Sequence, residues 1–525
     1  MAKEMHLPAW KLRFLTALLV LGMASGQEAD GEQSHSTSVA GMVRLLQLED
    51  KLIENLSNYA IELEGKLNIM RSFVEQMRAE SNKAMSHTEH YVSNPLNAFS
   101  LIRRMHEDWT HLQLYMEQPV GKRQMDYVNL KRHQLPSSTD LEEAAAAIHR
   151  IQATYDLQVS DMAAGLLNGK QYNASLNELD TYALGKYHYD QQSFVDASQW
   201  INQAINRLNG PHKLTLPLGL NRAEVQHVYA EALIKMNRYA DALKVLQIAT
   251  TIDKNNLKLL QRKMEVETLI RTSPNISPKP YKKKPVSNYE RGCRGQFPTQ
   301  SKLHCVYNST NSPFLRLAPL KTELLALDPY MVLYHDVITP SEIRELQHLA
   351  VPTLKRATVF NQQMGRNTVV KTRTSKVTWL TDSLNPLTVR LNRRISDMTG
   401  FDLYGSEMLQ VMNYGLGGHY DLHFDYFNAT IAKDLTKLNG DRIATVLFYL
   451  SDVEQGGATV FPNIKQAIFP KKGTAVMWYN LRHNNNGDPQ TMHAACPVIV
   501  GSKWVCNKWI REHQQLFRRP CLSSP

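Results

Sequence analysis

The sequence contains no apolar run approaching the roughly 20 residues that cross a bilayer, so it predicts no membrane span. Cysteine is scarce, five in 525 residues, which excludes a fold held by a disulfide framework. Twenty-five glycines and 23 prolines are too few for a collagen-like or low-complexity chain. Neither charge sign dominates: 60 Lys and Arg against 49 Asp and Glu leave +11 over the whole length. So mild an excess does not make nucleic acid an expected partner. What is present is ordinary globular composition, 43% hydrophobic and 21% charged, in a chain long enough for about three or four domains.

The first 26 residues read as a cleaved secretory signal (1–26). Lys3, Lys11 and Arg13 precede a short apolar run, Phe14 to Met23, and Ala24-Ser25-Gly26 closes it in small residues, with Gln27 as the mature start. Sequons at Asn55, Asn173, Asn275, Asn308 and Asn428 fit a lumenal route. The sequence as it stands closes on Cys521-Leu-Ser-Ser-Pro525 without a Lys-Asp-Glu-Leu-type signal. The expectation is that the chain is secreted or is held back by a partner.

The region 27–140 is predicted helical. Leu45, Leu52, Tyr59, Lys66 and Phe73 form one row of a heptad-like seam, and Leu56, Leu63, Met70 and Met77 the other. Lys66 interrupts the seam, which points to a short oligomerisation helix or an intramolecular helix pair. Between 145 and 260 a helical pattern repeats: Phe194-Val-Asp-Ala197 recurs forty-five residues later as Tyr239-Ala-Asp-Ala242. Gly185 and Ala230 match at the same offset, as do Ala204 and Ala249. These small residues fall where a tetratricopeptide repeat needs tight helix pairing. On this register Tyr182, Lys186 and Tyr189 share a helix face, and tyrosines beside a groove can stack on an extended proline-rich peptide. They would serve equally as ordinary packing aromatics. A basic, Pro-rich linker (261–290) follows, and 291–525 turns to short strands separated by glycine turns, with helices expected at Pro340–Ala350 and Asn385–Met398.

The sharpest chemical signal is His423-Phe-Asp425. Side chains two apart on a strand share a face, and His493, seventy residues on, opens another strand-like run. Two histidines and a carboxylate on one side of a metal form the ligand set of non-haem Fe(II) oxygenases. Lys503, ten residues beyond His493, is the expected cation for a dicarboxylate co-substrate. A competing reading takes His493-x-x-Cys496 as half of a zinc site, but no second pair matches it. Cys506 lies an odd number of residues from Lys503 on one strand, which places it on the opposite face.

The motifs Arg442-Ile-Ala-Thr445, Phe448–Val453, Gly456–Pro462, Lys471–Val476, Trp478–Leu481, His493–Val498 and Phe517–Cys521, with the His423–Asp425 triplet, resemble the catalytic region of the collagen prolyl 4-hydroxylase alpha subunit family. The likeness extends through Tyr289–Cys293, the repeat region and the amino-terminal helix. It implies a multidomain α + β chain: an N-terminal helical oligomerisation region, a tetratricopeptide-like peptide-binding domain and a C-terminal double-stranded β-helix (jelly-roll) catalytic domain. It also implies Fe(II), 2-oxoglutarate, O₂ and L-ascorbate, and 4-hydroxylation of peptidyl proline in procollagen-like chains. Its setting would be the endoplasmic-reticulum lumen, in an α₂β₂ assembly with protein disulfide isomerase as beta subunit. By position, the resemblance makes His423, Asp425 and His493 the iron ligands and pairs Lys503 with 2-oxoglutarate. Tyr414 would line the same pocket, and Tyr182, Tyr189, Glu407, Tyr420 and Arg442 would face the peptide. It pairs Cys293 with Cys305 and Cys496 with Cys521, leaving Cys506 free. The rival readings are hydroxylation of another lumenal residue, such as lysine or a non-collagen proline, and a non-catalytic subunit that grips proline-rich peptides.

Overall fold

The computed structural model describes residues 38–208, 218–272, 277–280, 284–298, 304–361, 366–369, 372–427 and 436–518. The signal-like segment, Asn275, Asn428, Cys521 and parts of the Pro-rich linker lie outside them. No helix among the described residues is long and apolar enough to cross a membrane.

The heptad-like stretch forms one helix, α1 (Val39–Ser86), started by the Ser38 hydroxyl, which accepts from the Gly41 amide. Its covering comes from the same chain: Asn55 Nδ2 donates to the Gln124 carbonyl at 3.1 Å, and Gln124 in turn reaches Glu62 at 2.8 Å. Gln124 belongs to α2 (Lys122–Lys131). Lys66, which breaks the apolar seam, donates to the carbonyls of Met116 and Gln118 at 2.9 and 2.6 Å. The charge therefore caps a returning segment. Leu46, Ile53, Leu56, Leu63 and Phe73 stay exposed along α1.

The repeat region is a run of helices: α3 (Ser138–Tyr155), α4 (Val159–Ala163), α5 (Glu178–Asp190), α6 (Phe194–Leu208), α7 (Arg222–Lys235), α8 (Tyr239–Ile252) and α9 (Leu257–Thr272). Capping boxes, Ser137 with Asp140 and Asn177 with Asp180, fix the starts of α3 and α5. The offset read from sequence is structural: α5 packs on α6 as α7 packs on α8. At the crossing of the first pair a Cβ on Gly185 would lie 2.4 Å from Ile201 Cγ1. Ala197, Ala204, Ala230, Ala242 and Ala249 are all fully buried. Small residues let the helix backbones approach.

The C-terminal region is built on two antiparallel sheets. The larger runs in the spatial order β1-β2-β3-β11-β8-β13-β6-β5-β4 and the smaller β7-β12-β9-β10. In chain order these are β1 (Cys305–Asn308), β2 (Leu320–Leu327), β3 (Tyr330–His335), β4 (Lys355–Arg356), β5 (Ser375–Leu380), β6 (Leu409–Tyr414), β7 (Tyr420–His423), β8 (Arg442–Tyr449), β9 (Thr459–Phe461), β10 (Gln466–Ile468), β11 (Ala475–Tyr479), β12 (His493–Ala495) and β13 (Lys503–Arg511). Alternation sorts the central strands. Ala444, Val446 and Phe448 of β8 and Cys506 and Ile510 of β13 join the core under α11 (Pro340–Ala350) and α12 (Pro386–Thr399). Leu447, Tyr449 and Val505 face the small sheet, with Phe461, Ile468 and Ala495. Behind the small sheet, Val460 and Ala494 pack on α3, α4 and α10 (Asn288–Cys293). The expected helices fall at or within a residue of where the sequence puts them.

The disulfide pairing differs from expectation. Cys293 bonds Cys496, with Cα atoms 5.6 Å apart, while Cys305 is a free thiol exposed on the sheet-edge strand β1. The reason is packing: Gly292, beside Cys293, is pressed against Phe297 and Val460, so α10 lies on the small sheet next to the end of β12. A bridge spanning 203 residues has no local spacing from which to read it. It also removes Cys496 as a zinc thiolate. Cys506 is buried and free, and burial pushes its thiol up to about 12. It faces the helices, away from Lys503.

Candidate functional site

Strands β7 and β12 pair in antiparallel register so that His423 and His493 are direct cross-strand partners. Their rings lie with centroids 4.2 Å apart. Asp425 follows just after β7 ends, and its carboxylate sits between the two imidazoles. Oδ1 is 3.7 Å from His423 Nε2, and Oδ2 is 3.7 Å from His493 Nε2. The intervening Phe424 is exposed. Residues far apart in sequence thus converge as the His-x-Asp…His ordering predicts, through strand pairing.

The surrounding backbone sets the tautomers. His423 Nδ1 lies 2.7 Å from the Asp421 carbonyl and His493 Nδ1 2.9 Å from the Thr491 carbonyl. A carbonyl only accepts, so each Nδ1 carries the proton and each Nε2 presents a lone pair. Burial, reinforced by His493, drives His423 down to about 3 and keeps it neutral. Burial opposes ionisation of Asp425, but the two histidines, Arg442 and the Thr445 hydroxyl outweigh it and hold the group below its usual value. Thr445 Oγ1 donates to Asp425 Oδ2 at 2.7 Å and receives Asn480 Nδ2 at 2.9 Å. Two imidazole nitrogens and one carboxylate, each steadied from behind, form a donor set that fits a divalent iron ion. The same three residues emerge as a potential metal-holding group from proximity alone.

These side chains line a cavity of about 40 Å³ together with Lys503, Tyr414 and Tyr420. Lys503 is 1% exposed, and its ammonium stands 5.1 Å from the Tyr414 ring centre. Burial alone pulls it down to about 7. An ammonium so placed favours an incoming carboxylate. A larger cavity of about 540 Å³, bordered by Phe314, Val337 and Arg394, contains none of the triad; converging chemistry, not size, marks the site.

The remaining expected residues divide. Tyr420 is at the cavity, stacked on His423 with centroids 3.6 Å apart. Arg442 and Glu407 are not on its wall. They hold each other through two 2.6 Å hydrogen bonds, and Arg511 shares Glu407 Oε1 at 2.9 Å. Arg442 lies over Trp509 and donates to the Asp425 carbonyl at 3.2 Å. This pair braces the turn that carries Asp425. Tyr182 and Tyr189 sit elsewhere, half-buried beside the α5–α7 face, with Tyr189 edge-on to Phe194.

Sequence reasoning missed Arg373, Thr445 and Trp478. Arg373 is buried over the Tyr420 ring at 4.8 Å and reaches Gln410 and Met412. Trp478 lies edge-on to His493 with centroids 4.9 Å apart. Thr445 did leave a signal, as the one aliphatic hydroxyl in the otherwise apolar and aromatic run Ile443–Leu450. Arg373 left none.

Comparison with known proteins places these features in context. The family described as "Prolyl 4-Hydroxylase alpha-subunit, N-terminal region" matches residues 38–169, and the "2OG-Fe(II) oxygenase superfamily" matches 409–511. Prolyl 4-hydroxylase subunit alpha-2 of Gallus gallus is 34% identical over 515 residues, covering 93% of this chain and 95% of that protein. The alpha-2 subunit of Caenorhabditis elegans is 35% identical over 504 residues, covering 92% and 93%. The alpha-1 subunit of Homo sapiens is 34% identical over 532 residues, covering 97% and 99%.

Proposed function

Because the chain belongs to the prolyl 4-hydroxylase alpha-subunit family, we propose that His423, Asp425 and His493 hold its Fe(II) and that Lys503 anchors 2-oxoglutarate. The activity is 4-hydroxylation of peptidyl proline in procollagen-like chains, with Fe(II), 2-oxoglutarate and O₂ as the family's requirements and ascorbate as its typical reductant. The observation that carries the assignment is the cross-strand His423–His493 pair closing on Asp425 in one cavity with a buried lysine.

Iron and 2-oxoglutarate bound there would activate O₂, one oxygen atom going to succinate as CO₂ is lost and the other converting an unactivated C–H bond to C–OH. The chain's own residues do the positioning. The Asp421 and Thr491 carbonyls aim the two Nε2 lone pairs, and Thr445 fixes the rotamer of Asp425. Lys503 neutralises the distal carboxylate of the co-substrate, with Tyr414 beside it. Tyr420 and Trp478 flank the histidines with apolar rings and limit water.

The C-terminal sheets serve as a double-stranded β-helix catalytic domain (291–525). The helix pairs α5–α6 and α7–α8 serve as a tetratricopeptide-like domain (145–260) whose tyrosines, Tyr182 and Tyr189, receive the proline-rich substrate. Support comes from the repeated small-residue crossings. We assign 27–140 to oligomerisation, supported by the exposed apolar residues of α1, in an α₂β₂ assembly with protein disulfide isomerase. We place it in the endoplasmic-reticulum lumen, supported by the signal-like start, by the exposed sequon Asn173 and by a buried disulfide that an oxidising compartment favours.

The test is succinate release with a (Pro-Pro-Gly)-type peptide, Fe(II) and ascorbate. The reading expects peptide-dependent succinate and 4-hydroxyproline in equal amounts. Peptide binding without succinate, with the second subunit present, would overturn it in favour of a binding subunit.

A further inference from the structure

A second group of metal-ligating side chains lies outside the catalytic cavity. His149 on α3, His188 on α5 and Asp196 in the first turn of α6 each offer one ligand atom, and these atoms lie within 4.8 Å of one another. The imidazoles meet edge to face with centroids 4.8 Å apart. His188 is 1% exposed, and its Nε2 has no hydrogen-bond partner; His149 Nδ1 is likewise buried and unpartnered. Unlike His423 and His493, neither ring bonds a backbone carbonyl among the described residues. Buried polar atoms without partners are uncommon in folded proteins and call for a reason.

The internal repeat sharpens the question. Forty-five residues after His188 the second copy carries Leu233, 1% exposed in the same core position of its helix. A leucine therefore satisfies the packing there. The first copy sets an imidazole in its place and faces it with His149 from a helix outside the repeat. The Asp196 counterpart, Asp241, is spent on an exposed ion pair with Arg238 at 2.6 Å.

We propose that His149, His188 and Asp196 bind a divalent transition ion of the zinc class, tying α3 to the first helix pair. Two imidazoles and a carboxylate are ligands that zinc accepts, and a fourth position remains for water. The consequence is mechanical. The helix α3 is fastened to the catalytic region by Arg150 Nε on the Gly417 carbonyl, 3.1 Å, and Tyr155 on the Pro497 carbonyl, 2.7 Å. An ion held by His149 would join that helix to the pair carrying Tyr182 and Tyr189, setting the groove against the active site.

The experiment uses the full-length chain with the iron site disabled by His423→Ala and His493→Ala, in whatever assembly it purifies. Zinc retained after dialysis is counted with and without His188→Leu or Asp196→Asn, so that a second subunit contributes equally to both arms. One retained equivalent per chain is expected, with affinity lowered about tenfold or more by either change. His188→Leu copies the residue of the second repeat and preserves packing, and Asp196→Asn keeps shape on a half-buried side chain. X-ray absorption of the zinc-loaded chain, which needs no further variant, should show two imidazoles and oxygen. Retention unchanged by both substitutions, no retention at all, or a shell containing sulfur or fewer than two imidazoles would overturn the proposal.

Discussion

Among the described residues the molecule carries two sets of two histidines and an aspartate, one on strands and one on helices, and they are prepared differently. In the strand set, antiparallel pairing brings His423 opposite His493, and carbonyls two residues before each histidine fix the rings. Both open on a cavity that also holds a buried ammonium. In the helix set the rings meet by packing, and two of their nitrogens stay unpartnered. A strand presents alternate side chains and exposes backbone carbonyls at its ends, so it can orient a ligand before any ion arrives. A helix interior spends its carbonyls on its own amides, so ligands there are aimed by tertiary packing alone. The first arrangement suits turnover beside a co-substrate cavity; the second suits a fixed clip between helices.

The largest effect should come from removing the preparation of the strand set altogether. His423→Ala or Asp425→Asn should reduce succinate release to the background of the uncatalysed mixture, while circular dichroism stays unchanged because the core beneath is apolar. Residual turnover well above background would mean that the three residues do not act as one site. Next is Lys503→Met, which leaves a buried co-substrate carboxylate unpaired. At about 2–5 kcal/mol for one partner of a buried charge pair, the KM for 2-oxoglutarate should rise by about 10²-fold, with a smaller change in kcat. Lys503 also carries a pH signature. Burial lowers its value to about 7 in the free chain, so above that pH binding a dicarboxylate requires taking up a proton. The KM for 2-oxoglutarate should therefore climb as pH rises from 7 toward 9, by up to about tenfold per unit, and Lys503→Met should abolish the climb. A flat profile in the unaltered chain would remove the ammonium from the binding step.

What could be read from the sequence tracks the range of the interaction. Spacing of two placed His423 and Asp425 together, and parity placed Cys506 opposite Lys503, because alternation is local. Both helices flanking the large sheet were legible from amphipathic runs behind Thr339-Pro340 and Asn385-Pro386, where capping boxes start them. The Cys293–Cys496 bond was not legible, since only docking of α10 on the small sheet brings the two together. Arg442 and Glu407 were placed on the peptide side by the family resemblance alone. In the fold each neutralises the other, and their effect reaches the site through the Asp425 backbone. Arg373 arrives by tertiary packing from a segment with no periodic pattern, and no residue-level signal announces it.

A subtler break in the strand set is Thr445→Val, which keeps shape but deletes the hydroxyl that steadies Asp425 and receives Asn480. Partners behind a metal ligand are worth about 10–100-fold in metal affinity. The iron concentration for half-maximal activity should rise by about that factor, with activity recovered at saturating iron. If the half-maximal iron concentration is unmoved, Asp425 needs no support from behind, and the contrast between prepared strands and unprepared helices weakens.

The smallest effect belongs to the helical region and separates binding from chemistry. Tyr182 and Tyr189 are half-buried on one helix face, and burial lifts Tyr182 to about 12, so both rings stay neutral over any working pH. Neutral rings act by contact area and stacking, at about 0.5–1.5 kcal/mol each. Replacing either by Ala should raise the KM for a long proline-rich peptide by about two- to tenfold, leaving kcat and the KM for 2-oxoglutarate alone. A tripeptide too short to span groove and active site should show no change. Equal losses for short and long peptides would mean that these tyrosines pack the repeat, and the helical region would then contribute spacing to the enzyme and no grip on its substrate.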